Sequence, residues 1–164
     1  MELLPLYDAS MRNAAALVEQ AELLLSHRHH ARAFALAFTA YEEIGKAQLI
    51  ADFFNDVVSE KEFEAAFQDH RLKAAYVSRV VALSLENLQD ATIEYDRTKV
   101  ADLFLKRTQA LYVDRGDGMS PIIPSETIDV TLAEKAISRV KEEIHSIQFA
   151  EYLNGRIGSK GLFK

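Results

Sequence analysis

The residues best suited to chemistry begin with three charged side chains in the apolar stretch AFTAYEEIGKAQLI, residues 37–50. Glu42, Glu43 and Lys46 stand in the middle of a predicted helix that is apolar nearly all round. An unpaired carboxylate inside a protein is costly or becomes protonated, so each acid needs a cationic partner. Lys46 follows the two acids at helical spacings that let it reach both. The stretch therefore predicts a buried ionic cluster.

His70 and Arg107 extend this cluster from two other predicted helices. At about 100° per residue, His70 falls on the apolar stripe of the third helix, between Phe67 and Ala74. Arg107 falls on the apolar stripe of the fourth helix, and an Arg is almost never fully buried unless it is paired. We expect both side chains to point inward and to meet an acid of the second helix. Lys73, one turn after His70, would lie at the edge of the cluster.

Gly45 lies among these charges, where it costs about 1 kcal/mol relative to Ala in the middle of a helix. Close approach of another backbone or side chain at this position would explain it. The resulting polar network has two interpretations. It could recognise or process a ligand, or it could only fix the register of the helices through hydrogen bonds.

Other chemistries have less support. A di-metal carboxylate bundle needs two Glu-x-x-His motifs, and Glu142 to His145 supplies one. The run HRHH at residues 27–30 favours a solvated turn, because consecutive side chains on a helix point in different directions. The chain has no Cys, which excludes a disulfide, a thiolate metal site and a Cys nucleophile. We expect no metal and no other cofactor, which leaves His and Arg acting on RNA, where His moves a proton and Arg holds a phosphate.

The composition predicts one all-α domain. The 164 residues contain only 6 Gly and 3 Pro, and residues with high helix propensity dominate. No apolar stretch approaches the roughly 20 residues that span a bilayer, and the N-terminus does not resemble a signal peptide. We therefore expect a cytoplasmic protein without membrane contact. The net charge of −6 argues against a generic phosphate-binding surface, so we expect no DNA, whereas a local basic cluster could still contact RNA.

Apolar spacing predicts an antiparallel bundle of four main helices plus one additional helix, with no strand. The first predicted helix begins at Asp8 or Ser10 and ends near residue 26, and the second ends near Phe54. Two capping boxes mark the starts of the third and fifth helices. The third helix begins at Ser59 with Glu62, and its apolar stripe runs through Val81, Leu85 and Leu88. The fourth helix covers about Thr92 to Val113, and the fifth begins at Thr131 with Glu134.

A single domain would cover residues 1–154, and residues 155–164 would form a frayed tail. Between the fourth and fifth helices, the segment DRGDGMSPIIPSETID has the Gly and Pro content of a long loop.

Three blocks of the sequence, AFTAYEEIGKAQ, DHRLK and KRTQALYVDRGDG, together resemble the AbiV-type abortive infection proteins, a branch of the HEPN superfamily of helical domains. The resemblance covers roughly residues 31–147. It implies a helical HEPN bundle, usually a homodimer, that serves bacterial antiphage defence. Such a protein stops the growth or translation of an infected cell through a phage protein or RNA.

The resemblance also implies a set of site residues, several of which the helical spacing selects independently. The matching positions are Glu42, Glu43, Gly45, Lys46, His70, Lys73, Arg107, Tyr112 and Asp114. Of these, His70, Lys73 and Arg107 are candidates for catalysis. The binding or structural polar cluster would consist of Glu42, Glu43, Lys46, Tyr112 and Asp114.

A second candidate site follows from the HEPN resemblance. Many HEPN proteins are ribonucleases that use an Arg, a polar residue and a His after four to six intervening positions. Arg139 and His145 match this spacing here, with Val140 in the place of the polar residue. The two side chains would diverge by about 120° on a regular helix, so a dimer would have to bring His145 of one chain to Arg139 of the other.

Three functions thus stay open: an abortive-infection protein acting on a partner, a metal-independent ribonuclease, or an adaptor whose polar core only fixes the fold.

Overall fold

The computed structural model describes residues 3–78, 80–83, 91–94 and 97–154. Long helices dominate this part of the chain, which confirms the predicted helical bundle. The helices are α1 (Leu3–Ser26), α2 (His30–Phe54), α3 (Glu60–Gln68), α4 (His70–Tyr76), α5 (Arg97–Leu111), α6 (Pro124–Thr127) and α7 (Val130–Asn154). No helix of the described ranges combines the length and apolarity that a membrane crossing requires.

Helix α2 is the central element, because it contacts α1, α4, α5 and α7. Many of its buried side chains are Ala, which allows neighbouring helices to approach closely. A hydrogen bond from the Tyr7 hydroxyl to Glu151 and an ion pair between Glu22 and Lys141 show that α1 and α7 run antiparallel. Arg32 donates to the carbonyl oxygen of Leu111 over 3.0 Å, so the end of α5 lies beside the start of α2.

The apolar core follows α2 along its length. One group of buried side chains lies between α1, α2 and α7, and a second surrounds the other half of α2 and includes Leu49, Phe63 and Tyr76. Phe63 stacks on Phe53 with ring centroids 4.4 Å apart. The polar residues of α2 therefore lie between two well-packed apolar regions, where burial makes their partners important.

The start of α3 agrees with the predicted capping box. The backbone N–H of Glu62 donates to the Ser59 hydroxyl, and the backbone N–H of Ser59 donates to the Glu62 carboxylate over 3.0 Å. These two hydrogen bonds satisfy amide groups that the first helical turn leaves free.

The predicted continuation of this third helix is wrong beyond Gln68. Asp69 has an extended backbone, with φ −96° and ψ 113°, and its carboxylate accepts hydrogen bonds from the N–H groups of Arg71 and Leu72. Asp69 therefore caps a new helix, α4, which begins at His70. The predicted positions Leu85 and Leu88 lie outside the described residues.

The prediction of no strands is also wrong. Strands β1 (Val80–Leu83) and β2 (Ala91–Glu94) pair antiparallel, so Val81 and Thr92 belong to strands. A second small antiparallel pair, β3 (Asp114–Arg115) and β4 (Pro121–Ile122), lies in the predicted loop, followed by the short helix α6. The sequences of β1 and β2 contain β-branched residues, a residue type with high strand propensity.

Other predicted boundaries shift by a few residues. Helix α1 begins at Leu3, so Asp8 and Ser10 lie inside it and cannot cap it. Helix α7 begins at Val130, and the Asp129 carboxylate accepts a hydrogen bond from the backbone N–H of Leu132 over 2.7 Å. Asp129 rather than Thr131 therefore supplies the cap. The predicted tail, residues 155–164, lies outside the described part of the chain.

Candidate functional site

The centre of the candidate site is Glu42, which α2 directs into the bundle. The residue is 4% exposed. Its Oε1 lies 3.4 Å from Nδ1 of His70 at the start of α4, and its Oε2 lies 3.7 Å from Nη2 of Arg107 on α5. The structure therefore brings together three of the residues selected from the sequence, each from a different helix.

The contacts of Glu42 are ionic rather than well-formed hydrogen bonds. Charge-assisted hydrogen bonds between nitrogen and oxygen normally measure about 2.7–2.9 Å, which is shorter than both of its contacts. Within the described residues, Oε1 of Glu42 and Nε of Arg107 have no hydrogen-bond partner. This cluster thus keeps unused hydrogen-bonding capacity at two buried atoms.

His70 does not point inward as predicted. Its side chain is 59% exposed, because the break at Asp69 makes it the first residue of a new helix instead of a position on a continuous apolar stripe. Its Nδ1 edge nevertheless faces the buried carboxylate of Glu42. The imidazole therefore connects a buried acid with the protein surface.

Arg107 has the inward position and the acidic partner that its place on the stripe predicts. Its side chain is 23% exposed, and its guanidinium carbon lies 5.9 Å from the ring centre of Phe38 and 5.6 Å from that of Phe104. Arg71 approaches the same Phe104 ring at 5.0 Å. Cation–π contacts at these distances help to hold a guanidinium in place. The apolar stripe that holds Arg107 includes Phe104, but the sequence did not predict the ring contacts, although Phe38 precedes Glu42, and Phe104 precedes Arg107, by one helical turn.

Glu43 and Lys46 form a separate ion pair beside Glu42. Lys46 Nζ lies 2.6 Å and 2.7 Å from the two carboxylate oxygens of Glu43, and both side chains are largely buried. The pairing within α2 satisfies the charge of Lys46 locally. Glu42 consequently depends on cations from α4 and α5.

Burial shifts the pKa of two groups in the cluster. It raises the pKa of the Glu42 carboxyl above its ordinary value, and the charges of Arg107, His70 and Lys73 oppose that rise. Burial lowers the pKa of the Lys73 ammonium group, and the positive charge of Lys46 lowers it further. Both shifts favour neutral forms, as expected where water is excluded.

Gly45 explains how α4 can lie so close to α2. A Cβ atom at this position would lie 1.7 Å from the carbonyl oxygen of Lys73, far inside any real contact. The expected close approach is thereby confirmed, and the approaching group is the backbone of α4. This packing carries His70 and Lys73 to the acids of α2.

Comparison with known families assigns the chain. The HEPN_AbiV family, described as AbiV, matches residues 2–145, which is most of the sequence. This chain belongs to the HEPN_AbiV family. Neither the curated proteins nor the solved structures include a significant match to it.

Two further residues of the resemblance to AbiV-type proteins lie on the surface. Tyr112, which is 63% exposed, follows the end of α5, and Asp114 is exposed at the start of β3. The Asp114 carboxylate accepts a hydrogen bond from the backbone N–H of Arg115 over 2.7 Å. Neither side chain is part of the buried cluster around Glu42.

The Arg and the His that match the HEPN spacing are both on α7. Arg139 is exposed and forms an ion pair of 2.6 Å with Glu143, one turn further along the helix. His145 is also exposed, and a regular helix directs the two side chains about 120° apart. One chain alone therefore does not bring Arg139 and His145 to a common point.

Arg139 also borders a mostly apolar cavity of about 340 Å³ between α2 and α7. Tyr41 and Ser78 line the same cavity. Burial and the charge of Glu143 raise the pKa of the Tyr41 hydroxyl, while Arg139 opposes that rise.

With respect to metals, the described residues contain no group of three or more His, Asp or Glu that could hold an ion.

Proposed function

We propose that this member of the HEPN_AbiV family is an abortive-infection protein that arrests growth or translation in phage-infected bacteria. In this proposal it acts as a homodimer, and its favoured target is RNA. The site of action is the cluster of Glu42, His70 and Arg107. Family membership supports the biological role, and the geometry of the cluster supports the choice of site.

The observation that carries the proposal is a buried carboxylate that holds a surface His and a half-buried Arg. A polar network that served only packing would be expected to keep its members inside the core. Here the His70 side chain is 59% exposed although its Nδ1 faces the buried Glu42 carboxylate, and the Arg107 side chain is 23% exposed. This exposure gives a ligand access to two members of the cluster, which favours a site that binds something over an adaptor with a purely structural core.

The arrangement around His70 suits acid–base chemistry. An acid beside Nδ1 of an imidazole fixes the orientation of the ring, which leaves Nε2 to exchange a proton with a substrate. Arg71 and Arg107 bring guanidinium groups to the same region, and guanidinium groups bind phosphate oxygens well. The exposed part of the cluster is therefore cationic, as an RNA site requires.

A metal-independent ribonuclease is the second candidate, and the position of His70 favours it. In such a reaction the RNA 2′-hydroxyl loses its proton to a base, and the 2′-oxygen forms a bond to phosphorus. The bond from phosphorus to the 5′-oxygen breaks, and that oxygen takes a proton from an acid. His70 would act as the base and Arg107 would hold the phosphate, whereas Lys73 is buried, with a pKa lowered by burial, and has no part in this step.

Exposed apolar side chains near the end of α7 support the homodimer. Phe149 is 56% exposed, Tyr152 is 85% exposed and Leu153 is 61% exposed, all within one short segment. Exposed groups of large apolar side chains often mark surfaces that bind another protein. A dimer formed through α7 would also place the exposed Arg139 and His145 near the partner.

The proposal is tested in bacteria challenged with phage. Cells would produce the wild type or His70→Gln, with His145→Gln as a matched control that changes another exposed His. We expect His70→Gln to lose most of the protection and His145→Gln to keep it. Thermal unfolding of the purified variants checks that both fold normally. If His145→Gln loses protection while His70→Gln keeps it, the site lies on α7 and the assignment to the Glu42 cluster is wrong.

A test in vitro separates the ribonuclease from a binding protein. Purified wild-type protein is incubated with RNA in the presence of a metal chelator. Separately, light scattering measures the mass of the protein in solution, which tests the proposed homodimer. Cleavage that disappears in His70→Gln supports the ribonuclease. Protection in cells without any cleavage in vitro supports action by binding, on RNA or on a phage protein.

A further inference from the structure

The turn between α1 and α2 forms a second concave site, far from Glu42. A cavity of about 300 Å³ opens there against the start of α6. We call it the basic pocket, and its lining side chains include Arg28, His29, His30, Arg32, Pro124 and Ser125. None of the described residues that line it is acidic. In a chain of net charge −6, a concavity lined by four basic side chains is a local exception.

The backbone of the turn is unusual at Arg28. Its φ of 63° is in the left-handed region, which residues other than Gly and Asn seldom adopt. The next N–H, that of His29, donates to the carbonyl oxygen of Leu24 over 2.9 Å, and this bond helps to close α1. An Arg therefore occupies a position that a smaller residue would hold with less strain. Strained positions of this kind are concentrated at functional sites.

The neighbouring basic side chains have different roles in the turn. His27 is directed back to α1, because its Nδ1 lies 2.8 Å from the carbonyl oxygen of Leu23. Arg32 is held in place by the hydrogen bond from its Nη1 to the carbonyl oxygen of Leu111. Arg28, His29 and His30 have no such tether among the described contacts. The pocket thus combines the fixed guanidinium of Arg32 with one adjustable guanidinium and two adjustable imidazoles.

The backbone at the start of α2 adds donors to the pocket. His29 is the N-cap residue, and its side chain makes no capping hydrogen bond. The first N–H groups of a helix have no partner within the helix, and they favour anions. The lining residues His30 and Arg32 belong to this uncapped turn.

We propose that the basic pocket binds a phosphate group, carried either by a nucleotide or by the backbone of RNA. Guanidinium groups and free backbone N–H groups are the donors that phosphate oxygens prefer. A volume of about 300 Å³ is at the lower end for small-molecule sites, which suits one phosphate-bearing unit. On α2, His30 and Glu42 are separated by about 18 Å, so this site is distinct from the Glu42 cluster and does not rest on the function proposed above.

Binding to the full chain tests the proposal with three probes: inorganic phosphate, adenosine monophosphate and a short fluorescent single-stranded RNA. Arg28→Asn removes the guanidinium, and Asn tolerates the left-handed backbone. Arg12→Gln on α1 is the matched control, because Arg12 is also exposed and its loss changes the net charge equally. We expect Arg28→Asn to weaken binding by about tenfold, as for the loss of a charged hydrogen bond. Arg12→Gln should bind like the wild type.

The probes distinguish the two sources of phosphate. Binding of inorganic phosphate or the mononucleotide that depends on Arg28 identifies a free ligand. Binding of RNA alone, with a salt dependence whose slope falls by about 0.7 in Arg28→Asn, identifies the RNA backbone. The proposal is overturned if no probe binds, or if Arg28→Asn and Arg12→Gln weaken binding equally. Thermal unfolding should show Arg28→Asn to be at least as stable as the wild type.

Discussion

Gly45→Ala is the substitution that most directly perturbs the contact between α2 and α4. The new Cβ would meet the carbonyl oxygen of Lys73 at 1.7 Å, and real Cβ atoms essentially never approach closer than 3.0 Å. The obstacle is backbone, so no side-chain rotation relieves it. Helix α4 would have to move away from α2 by more than an ångström. The 3.4 Å contact between His70 and Glu42 would then lengthen beyond the 4 Å limit of an ion pair.

Two opposing effects set the stability of Gly45→Ala. Replacing Gly by Ala inside a helix stabilises it by about 1 kcal/mol, whereas overpacking costs typically about 1–3 kcal/mol and sometimes more. Because the collision is with backbone, we expect the upper part of that range and a net loss of about 2 kcal/mol. Urea unfolding followed by circular dichroism should show a midpoint lowered by about 1 M.

Gly118→Ala is the matched control for Gly45→Ala. Gly118 has a φ of +65°, and a Cβ there would meet nothing within 4 Å. It therefore reports backbone strain of about 1–2 kcal/mol without a collision. If Gly45→Ala proves as stable as the wild type or more stable, the gain in helix propensity dominates. The close packing of α4 on α2 would then be refuted.

Two further predictions concern stability. Because burial raises the pKa of Glu42 in the folded state, the folded protein binds more protons than the unfolded chain above the ordinary value of 4.5. The unfolding free energy of the wild type relative to Glu42→Gln should therefore fall as pH rises above 4.5. Unfolding at several pH values measures this difference. If the difference rises with pH instead, the charges of the neighbouring cations outweigh burial. Ser59→Ala should lower the unfolding free energy by about 1 kcal/mol, because it removes the cap of α3. Ser146→Ala, at an exposed position of α7, should change it by less than about 0.5 kcal/mol. Equal effects of the two Ser substitutions would contradict the capping role.

Local signals predicted much of the site. The all-round apolar character of α2 indicated a central helix, and the charges within it indicated partners from other helices. Gly45 indicated the close approach that α4 makes. Arg107 was placed correctly because its apolar neighbours on α5 recur at helical spacing, and a buried Arg requires an acid.

The position of His70 could not be derived from apolar spacing alone. The stripe continued in register through residues 63–77, which favoured one long helix. Asp69 is a residue type that caps helices, but its extended backbone depends on how α3 and α4 pack against α2. Because the helix breaks at Asp69, the His70 side chain is at the surface, with its ring still beside Glu42. A capping residue inside an apolar stripe was the available signal.

The strands were missed for a different reason. A short apolar run such as VVAL at residues 80–83 is compatible with a helix or a strand, and periodicity does not separate them. Its state depends on pairing with residues 91–94, a tertiary contact that no local pattern encodes. The loop before α7 contains a second pair for the same reason.

We propose that Glu42, His70 and Arg107 form the site through which this protein acts. The most direct measurement is phage protection by His70→Gln, normalised to the amount of folded protein in the cell. His70 is largely exposed, so its replacement should leave stability within about 0.5 kcal/mol of the wild type. We predict loss of most protection with unchanged unfolding. Full protection by a stably folded His70→Gln would contradict it.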